Sequence, residues 1–130
     1  MTDYRKLMKM AYEAGAFAYA PYSGFRVGAA LLFEDGTVVT GCNVENSSYG
    51  LTLCAERNAM TTAVAQGLVM PVAAAVAGEK GKPCMPCGAC RQFLAEFNPD
   101  LEIVTEENDR LSVFKLSELL PCCFTFDKKN

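Results

Sequence analysis

The sequence predicts an α/β fold of three layers (α/β/α), in which helices cover both faces of one mixed five-stranded sheet. Segments whose apolar residues recur at helical spacing alternate along the chain with short runs rich in Val, Leu and Phe, which are typical of strands. This alternation packs as a sheet between helices. A chain of 130 residues without repeats or linker-like segments fits a single domain over 1–130.

The first helix is predicted over Tyr4 to Tyr19, where the apolar residues share one face and Pro21 prevents continuation. The apolar runs 25–33 and 37–44 are predicted as strands. Because the intervening turn contains Asp35-Gly36, and Asp-Gly favours a tight turn, these two strands are expected to form an antiparallel hairpin.

The second half of the chain continues both patterns. The predicted helices are 55–66, 88–97 and the short turn 117–120, and the predicted strands are 72–77, 101–105 and 111–116. The helix over 55–66 has Cys54 at its start and Gly67 at its C-cap. The connection between the last two strands is too short for a parallel crossover, which needs a dozen residues or more. The last two strands are therefore expected to pair antiparallel.

Charge and hydropathy exclude several classes of partner. The net charge is −3 and the pI is near 4.9, so the chain lacks the basic surface that a polynucleotide or an anionic membrane would require. No apolar run approaches the roughly 20 residues of a membrane span, and the N-terminus lacks the apolar stretch of a secretory signal. We expect a cytoplasmic protein that acts on a neutral small molecule.

The cysteine count indicates metal or thiol chemistry. Seven cysteines in a chain without a secretory signal do not suggest a disulfide framework, and an odd number fits one poorly. The sequence contains no histidine, so thiolates and carboxylates would have to hold any metal. Soft thiolate ligands favour zinc.

Two short motifs place cysteines where a loop enters a predicted helix. Cys54 and Glu56 lie in Cys-Ala-Glu-Arg, and Cys87 and Cys90 lie in Pro-Cys-Gly-Ala-Cys. Free amides at a helix N-terminus favour the thiolate, so three sulfurs could bind one Zn²⁺ and leave one position open for water. Glu56 would then lie near that water. Three thiolates on Zn²⁺ carry a net charge of −1, and Arg57 is the cation best placed to compensate it.

Other interpretations of the cysteines remain open from their spacing. Cys84 and Cys87 form a second Cys-x-x-Cys pair, so they could be the ligands, a closed four-cysteine structural site could form, or a pair could act as a redox dithiol. The Cys54-x-Glu56 motif favours the enzyme over these alternatives. We interpret Cys42, Cys84, Cys122 and Cys123 as buried or incidental thiols, and Arg91 is expected to be a solvated or structural charge.

Ordered segments along nearly the whole chain resemble the cytidine deaminases, in particular the small homotetrameric type with three cysteine ligands. These segments are 19–23, 25–31, 43–46, 54–57, 86–92 and 119–121. The resemblance implies a cytidine deaminase-like fold, one Zn²⁺ in each subunit, and a homotetramer whose active sites are shared between subunits. It also implies a nucleoside as substrate.

The resemblance implies further roles for individual residues. Phe25 would pack against the pyrimidine, and Asn43 and Glu45 would hold ribose hydroxyls. Because these two residues bracket Val44 in a predicted strand, period-two alternation would place their side chains on one face. Without the resemblance, a solvated strand end would be the preferred interpretation of both.

The resemblance assigns the contacts to the base mainly to backbone groups. The Ala55 amide and the Glu56 carboxyl would contact the base carbonyl and the ring nitrogen, and the carbonyl of Met85 would receive the departing amine. Relatives of this type usually carry a small polar residue where Met85 stands. Tyr49 and Phe124 correspond to residues that neighbouring subunits contribute to the pocket, although both also suit an ordinary core or interface.

The implied reaction is hydrolytic deamination of cytidine and 2′-deoxycytidine. Glu56 would take a proton from zinc-bound water, the hydroxide would attack C4, and Glu56 would return protons to the ring nitrogen and the amine. The rival within the enzyme class is a deaminase of another aminopyrimidine, against which Asn43 and Glu45 indicate ribose. The rival outside it is a zinc-stabilised binding module, in which Glu56 would be dispensable.

Overall fold

The computed structural model describes residues 2–129. The helices are α1 (Tyr4–Gly15), α2 (Ala55–Ala65), α3 (Gly88–Ala95) and α4 (Leu116–Leu119), and the strands are β1 (Gly28–Phe33), β2 (Val38–Cys42), β3 (Pro71–Ala77), β4 (Glu102–Glu107) and β5 (Arg110–Lys115). A short 3-10 helix, Tyr49–Leu51, precedes α2. The five strands form one sheet in the order β2-β1-β3-β4-β5.

The sheet is mixed, as the sequence predicts. β3 and β4 are parallel, whereas β1 pairs antiparallel with β2 and β3, and β4 with β5. The predicted hairpin turn is present: Gly36 has a positive φ of 89° and its amide donates to the Phe33 carbonyl over 2.9 Å. The connection between β3 and β4 contains α3, and the connection from β2 to β3, which passes β1 in the sheet, contains α2.

Helices cover both faces of the sheet, which confirms the three-layer prediction. On one face α1 packs against alternate strand residues, among them Ala30, Ala75 and Val104. On the other face α2 and α3 pack against the intervening residues, such as Leu31 and Ile103. The many alanines of β1 and β3 are fully buried, so small side chains let the helices approach the sheet closely.

Two glycines permit these close approaches. A Cβ at Gly28 would lie 1.8 Å from the Ala11 carbonyl oxygen of α1, and a Cβ at Gly41 would lie 2.5 Å from the Ala59 nitrogen of α2. Both neighbours are backbone atoms, which cannot move aside as a flexible side chain can. Gly28 and Gly41 thus set the distance between the sheet and the helix on each face.

The first helix ends earlier than the prediction of Tyr19, and Pro21 is not what ends it. The helix stops at Gly15, and Tyr19 instead forms a bridge with Val44: its amide donates to the Asn43 carbonyl over 3.0 Å. This backbone pairing overrides the apolar spacing. Phe17, which the helical pattern placed on the buried face, is 84 % exposed.

The predicted hairpin strands also extend too far at the ends near the site. β1 begins at Gly28 rather than at Phe25, and β2 ends at Cys42 rather than at Val44. Beyond these ends the Asn43 side chain takes the place of ladder hydrogen bonds, since it accepts from the Val27 amide and donates to the Phe25 carbonyl, each over 2.9 Å. The other predicted elements agree with the structure to within two residues. None of the helices in the described part of the chain is long and apolar enough to cross a membrane.

Candidate active site

The N-termini of α2 and α3 bring three thiols together on the carboxyl side of β3. Cys54 and Cys87 are the N-cap residues of these helices, and Cys90 lies in the first turn of α3. The first amides of a helix have no intrahelical acceptor, and the dipole there favours negative charge. Hydrogen bonds from Cys90, Cys54 and the Ala89 amide lower the pKa of the Cys87 thiol, whereas burial raises the pKa of the Cys90 thiol.

The spacing of the three sulfurs fits a zinc ion. The Sγ atoms of Cys54, Cys87 and Cys90 all lie within 4.8 Å of one another, and those of Cys54 and Cys87 are 4.0 Å apart. Tetrahedral ligands at a Zn–S distance of about 2.3 Å are roughly 3.8 Å apart. Three thiolates can thus bind one Zn²⁺ after small adjustments, with the fourth position left open.

Glu56 is buried beside the thiols. Its exposed fraction is 3 %, yet it lines the same cavity as Cys54 and Cys87. Burial raises the pKa of the Glu56 carboxyl, while its own backbone amide, the Cys90 thiol and Arg57 act in the opposite direction. A carboxyl group held this way can carry a proton closer to neutral pH than an exposed glutamate can.

Arg57 lies where the sequence places it, beside the first thiol. Its Nη2 is 3.5 Å from Cys54 Sγ and 3.4 Å from the Thr52 carbonyl oxygen. The contact with the Cys54 sulfur is the main cause of a raised Arg57 pKa. The guanidinium is therefore in position to offset negative charge on the sulfurs.

A cavity of about 230 Å³ opens beside the thiols. Of the residues predicted for the site, it is lined by Phe25, Asn43, Cys54, Ala55, Glu56, Met85 and Cys87. Its surface is mostly apolar, and no Lys or Arg is among its lining residues in the described part of the chain. The structure thus joins the predicted base-contacting residues to the metal ligands in one place.

Glu45 and Tyr49 line a second cavity of about 370 Å³, next to the first. Thr52 lines both cavities, so the two adjoin at this residue. The Glu45 carboxylate accepts hydrogen bonds from the amides of Tyr22 and Ser23. Asn43 and Glu45 both follow β2. Within this chain, the side chain of each is hydrogen-bonded to backbone groups between Tyr22 and Phe25.

Phe124 lies outside the cavities that hold the other predicted residues. Its ring is 65 % exposed and forms an edge-to-face pair with Phe126, with centroids 4.8 Å apart. Its backbone carbonyl accepts from the Gln92 side chain over 2.7 Å, which fixes the C-terminal segment to α3. Tyr49 is 79 % exposed. Neither residue lines the cavity beside the thiols.

Three other residues lie at or next to the site, and sequence patterns did not predict the roles of two of them, Cys84 and Ser23. Cys84 lines the cavity without belonging to the thiol cluster; within residues 2–129, therefore, the cluster is not a closed four-cysteine site. Burial raises the pKa of the Cys84 thiol to about 11.

Arg91 is a structural charge that donates to the carbonyls of Pro86 and Leu119. Ser23 contacts Glu45 and Phe25; a lone serine in a loop gives no pattern that would reveal this.

In this α/β fold, the N-termini of two helices present three thiols and a buried carboxyl group. This combination is typical of the zinc-dependent deaminases. A family model described as cytidine and deoxycytidylate deaminase zinc-binding region matches residues 1–106. The chain belongs to this family. The matched region includes all three thiols, which fit one Zn²⁺ ion.

Relatives with known names agree along almost the whole chain. It is 46 % identical to the cytidine deaminase of Halalkalibacterium halodurans, over 98 % of both chains. It is also 46 % identical to a cytidine deaminase of Mycobacterium tuberculosis, over 96 % of this chain and 92 % of the relative. The crystal structure of cytidine deaminase from Burkholderia pseudomallei has a TM-score of 0.89 and 48 % identity, over 95 % of this chain and 100 % of the other.

Proposed function

We propose that this protein catalyses the hydrolytic deamination of free cytidine and 2′-deoxycytidine to uridine and 2′-deoxyuridine, with release of ammonia. The observation that carries the proposal is the buried carboxyl group of Glu56 in one cavity with the thiols of Cys54 and Cys87. The names of relatives that match over nearly the full length support the choice of substrate.

Cys54, Cys87 and Cys90 are the proposed ligands of the zinc ion. When bound, the metal supplies a Lewis acid that makes hydroxide available near neutral pH. Arg57 lies 3.5 Å from the Cys54 sulfur and offsets the excess negative charge of three thiolates. This compensation matters because a site with a net charge of −1 holds the proton of water more firmly than a neutral site does.

Glu56 is the proposed proton carrier. Its carboxylate accepts a proton from the attacking water and delivers it to the ring nitrogen next to C4; it then accepts the proton of the new C4 hydroxyl group, which becomes the carbonyl, and delivers it to the amino group. The water oxygen bonds to C4, the bond between C4 and the amino nitrogen breaks, and the amine leaves as ammonia. The raised pKa of the buried carboxyl suits a group that must both accept and donate a proton.

The cavity provides the contacts to the base. The Phe25 ring packs against the pyrimidine, the Ala55 amide addresses the base carbonyl, and the Met85 carbonyl receives the leaving amine. Ala55 is the first residue of α2, so its amide has no intrahelical acceptor and is free to donate to a ligand. Met85 acts through its backbone, which explains how a methionine is tolerated there.

The sugar is assigned to Asn43 and Glu45. The cavity lined by Glu45 adjoins the base cavity at Thr52, so a ligand can extend from one into the other. Lys and Arg are absent from the described lining of both cavities, and this supports a nucleoside over a nucleotide, whose phosphate would need a cation.

A direct test is to incubate the purified protein separately with cytidine, 2′-deoxycytidine and cytosine, and to follow ammonia release together with metal content. Turnover of both nucleosides with about one zinc per chain is expected. Metal binding without turnover of any of the three would contradict the proposal and favour a zinc-stabilised binding module.

We also propose a homotetramer in which Tyr49 and Phe124 complete the sites of neighbouring subunits. Both residues are largely exposed, and neither lines the cavity beside the thiols of its own chain. Large aromatic side chains left in water favour association with another surface.

The single domain over 1–130 and the cytoplasmic location stay predictions. Five strands in one sheet support the first, and seven free thiols, which suit a reducing compartment, support the second. The negative net charge supports the absence of nucleic-acid and membrane partners.

A further inference from the structure

Side chains that follow β2 hold the turn before Phe25. The Glu45 Oε1 atom accepts from the amides of Tyr22 and Ser23, over 3.0 and 3.2 Å. The Asn43 side chain binds the Phe25 carbonyl from the same direction, over 2.9 Å. The position of Phe25 therefore depends on the two residues proposed to bind the sugar.

The hydroxyl of Ser23 connects Glu45 directly to Phe25. Ser23 Oγ donates to Glu45 Oε2 over 2.5 Å and accepts from the Phe25 amide over 3.0 Å. The Ser23 hydroxyl is also the main cause of a lowered Glu45 pKa, so this carboxyl stays ionised and accepts the proton of the hydroxyl. The free lone pairs of Ser23 Oγ are then available to the Phe25 amide.

The Phe25 ring lies close to Gly78. A Cβ placed on Gly78, at the end of β3, would lie 3.0 Å from Phe25 Cζ. The ring edge thus rests against a residue without a side chain, while Ser23 holds the backbone amide of the same residue. These two contacts restrict how far the ring can move relative to the base cavity.

We propose that Ser23 is a positioning residue that links sugar recognition at Glu45 to packing of the Phe25 ring against the base. This inference rests on the proposed function. It implies that Ser23 contributes to substrate binding although it touches neither the base nor the metal. It also implies that the contributions of Glu45 and Phe25 are coupled through one hydroxyl group.

Hydrogen exchange tests the link without any need for turnover. In protein labelled with ¹⁵N-phenylalanine, Ser23→Ala is expected to speed exchange of the Phe25 amide about fivefold or more, the factor that loss of one hydrogen bond gives. Ser23→Thr keeps a hydroxyl and should restore protection. Ser48→Ala, on an exposed residue nearby whose side chain caps nothing, is the matched control. Unchanged exchange in Ser23→Ala would overturn the link.

Kinetics test the consequence for the substrate. Ser23→Ala should raise KM for cytidine about five- to tenfold with kcat within about twofold, because it removes a binding contribution and leaves the reacting groups in place. In a Phe25→Ala background the same substitution should change KM little. Equal effects in both backgrounds would refute the coupling. If the wild-type protein turned over no nucleoside, the proposed function would fail, whereas amide exchange would still decide the role of Ser23.

Discussion

At the scale of single residues, the proposed site assigns metal binding to three cysteines and proton transfer to Glu56. Cys54 is the N-cap of α2, and Glu56 lies in the first turn of the same helix, where burial raises the pKa of its carboxyl. The Cys54 sulfur instead contacts the Arg57 guanidinium, whose Nη2 is 3.5 Å away. A cation beside the sulfur and burial around the carboxyl suit the different roles proposed for the two residues.

Replacing the Glu56 carboxyl by an amide tests this division. Glu56→Gln should leave the fold and about one zinc per chain intact but lower kcat by about a hundred- to ten-thousandfold, the range typical of a lost general acid/base. Ammonia release and metal analysis on the same sample provide the measurement. Glu13→Gln, at an exposed position on α1, is the control. Activity close to wild type in Glu56→Gln would remove this residue from the mechanism.

Metal content distinguishes the three-thiol cluster from a site that uses Cys84. Cys87→Ser should lose most of its zinc after desalting, because a serine hydroxyl is a far weaker ligand than a thiolate. Cys84→Ser should keep about one zinc per chain, since Cys84 lies outside the cluster. Elemental analysis of both variants decides the point, and zinc loss in Cys84→Ser would show that a fourth thiol binds the metal.

At the scale of elements, the position of α2 depends on the absence of a side chain at Gly41. A Cβ there would lie 2.5 Å from the Ala59 nitrogen and 2.7 Å from the Ala55 carbonyl oxygen. Because α2 begins at the site with Cys54 as its N-cap, any displacement of this helix from β2 also moves a metal ligand and the proton carrier. Packing and catalysis are therefore connected through one strand residue.

Gly41→Ala should lower both stability and turnover. Overpacking of this kind costs about 1–3 kcal/mol in the free energy of unfolding, which urea denaturation at a fixed protomer concentration would measure. Gly50→Ala provides the matched control, because a Cβ at Gly50 meets no atom within 4 Å. Equal stability of the two variants would mean that α2 shifts without cost.

Elements that rely on local patterns were predicted well, and their ends near the site were not. The Asp-Gly turn and the core of each strand follow from the sequence because neighbouring residues determine them. The ends of α1, β1 and β2 depend on partners distant in sequence, such as the bridge between Tyr19 and Val44. The helical spacing of the apolar residues up to Phe17 gave no sign that a β-bridge would form at Tyr19 in place of a longer α1.

At the scale of the whole molecule, the three thiols of the proposed metal centre follow from local sequence patterns, whereas the proposed sugar site depends on contacts between distant parts of the chain. Cys54, Cys87 and Cys90 could be predicted because each motif is local and both lie at helix starts. The hydrogen bonds that Asn43 and Glu45 make to the segment before Phe25 could not, since they join parts of the chain that no spacing rule relates. Tyr49 and Phe124, which are proposed to complete the site of another subunit, could be named only through the resemblance to the family.

A shared active site can be tested by mixing two inactive variants. Phe124→Ala and Glu56→Gln should each be impaired alone, because one lacks the ring proposed to complete a neighbouring site and the other lacks the proposed proton carrier. In tetramers assembled from equal amounts of both, random mixing would pair an intact Glu56 with an intact Phe124 at about a quarter of the sites. Activity near that fraction of wild type is expected. If the mixture is no more active than the two variants assayed separately, each chain builds its site alone and the exposed ring of Phe124 has another role.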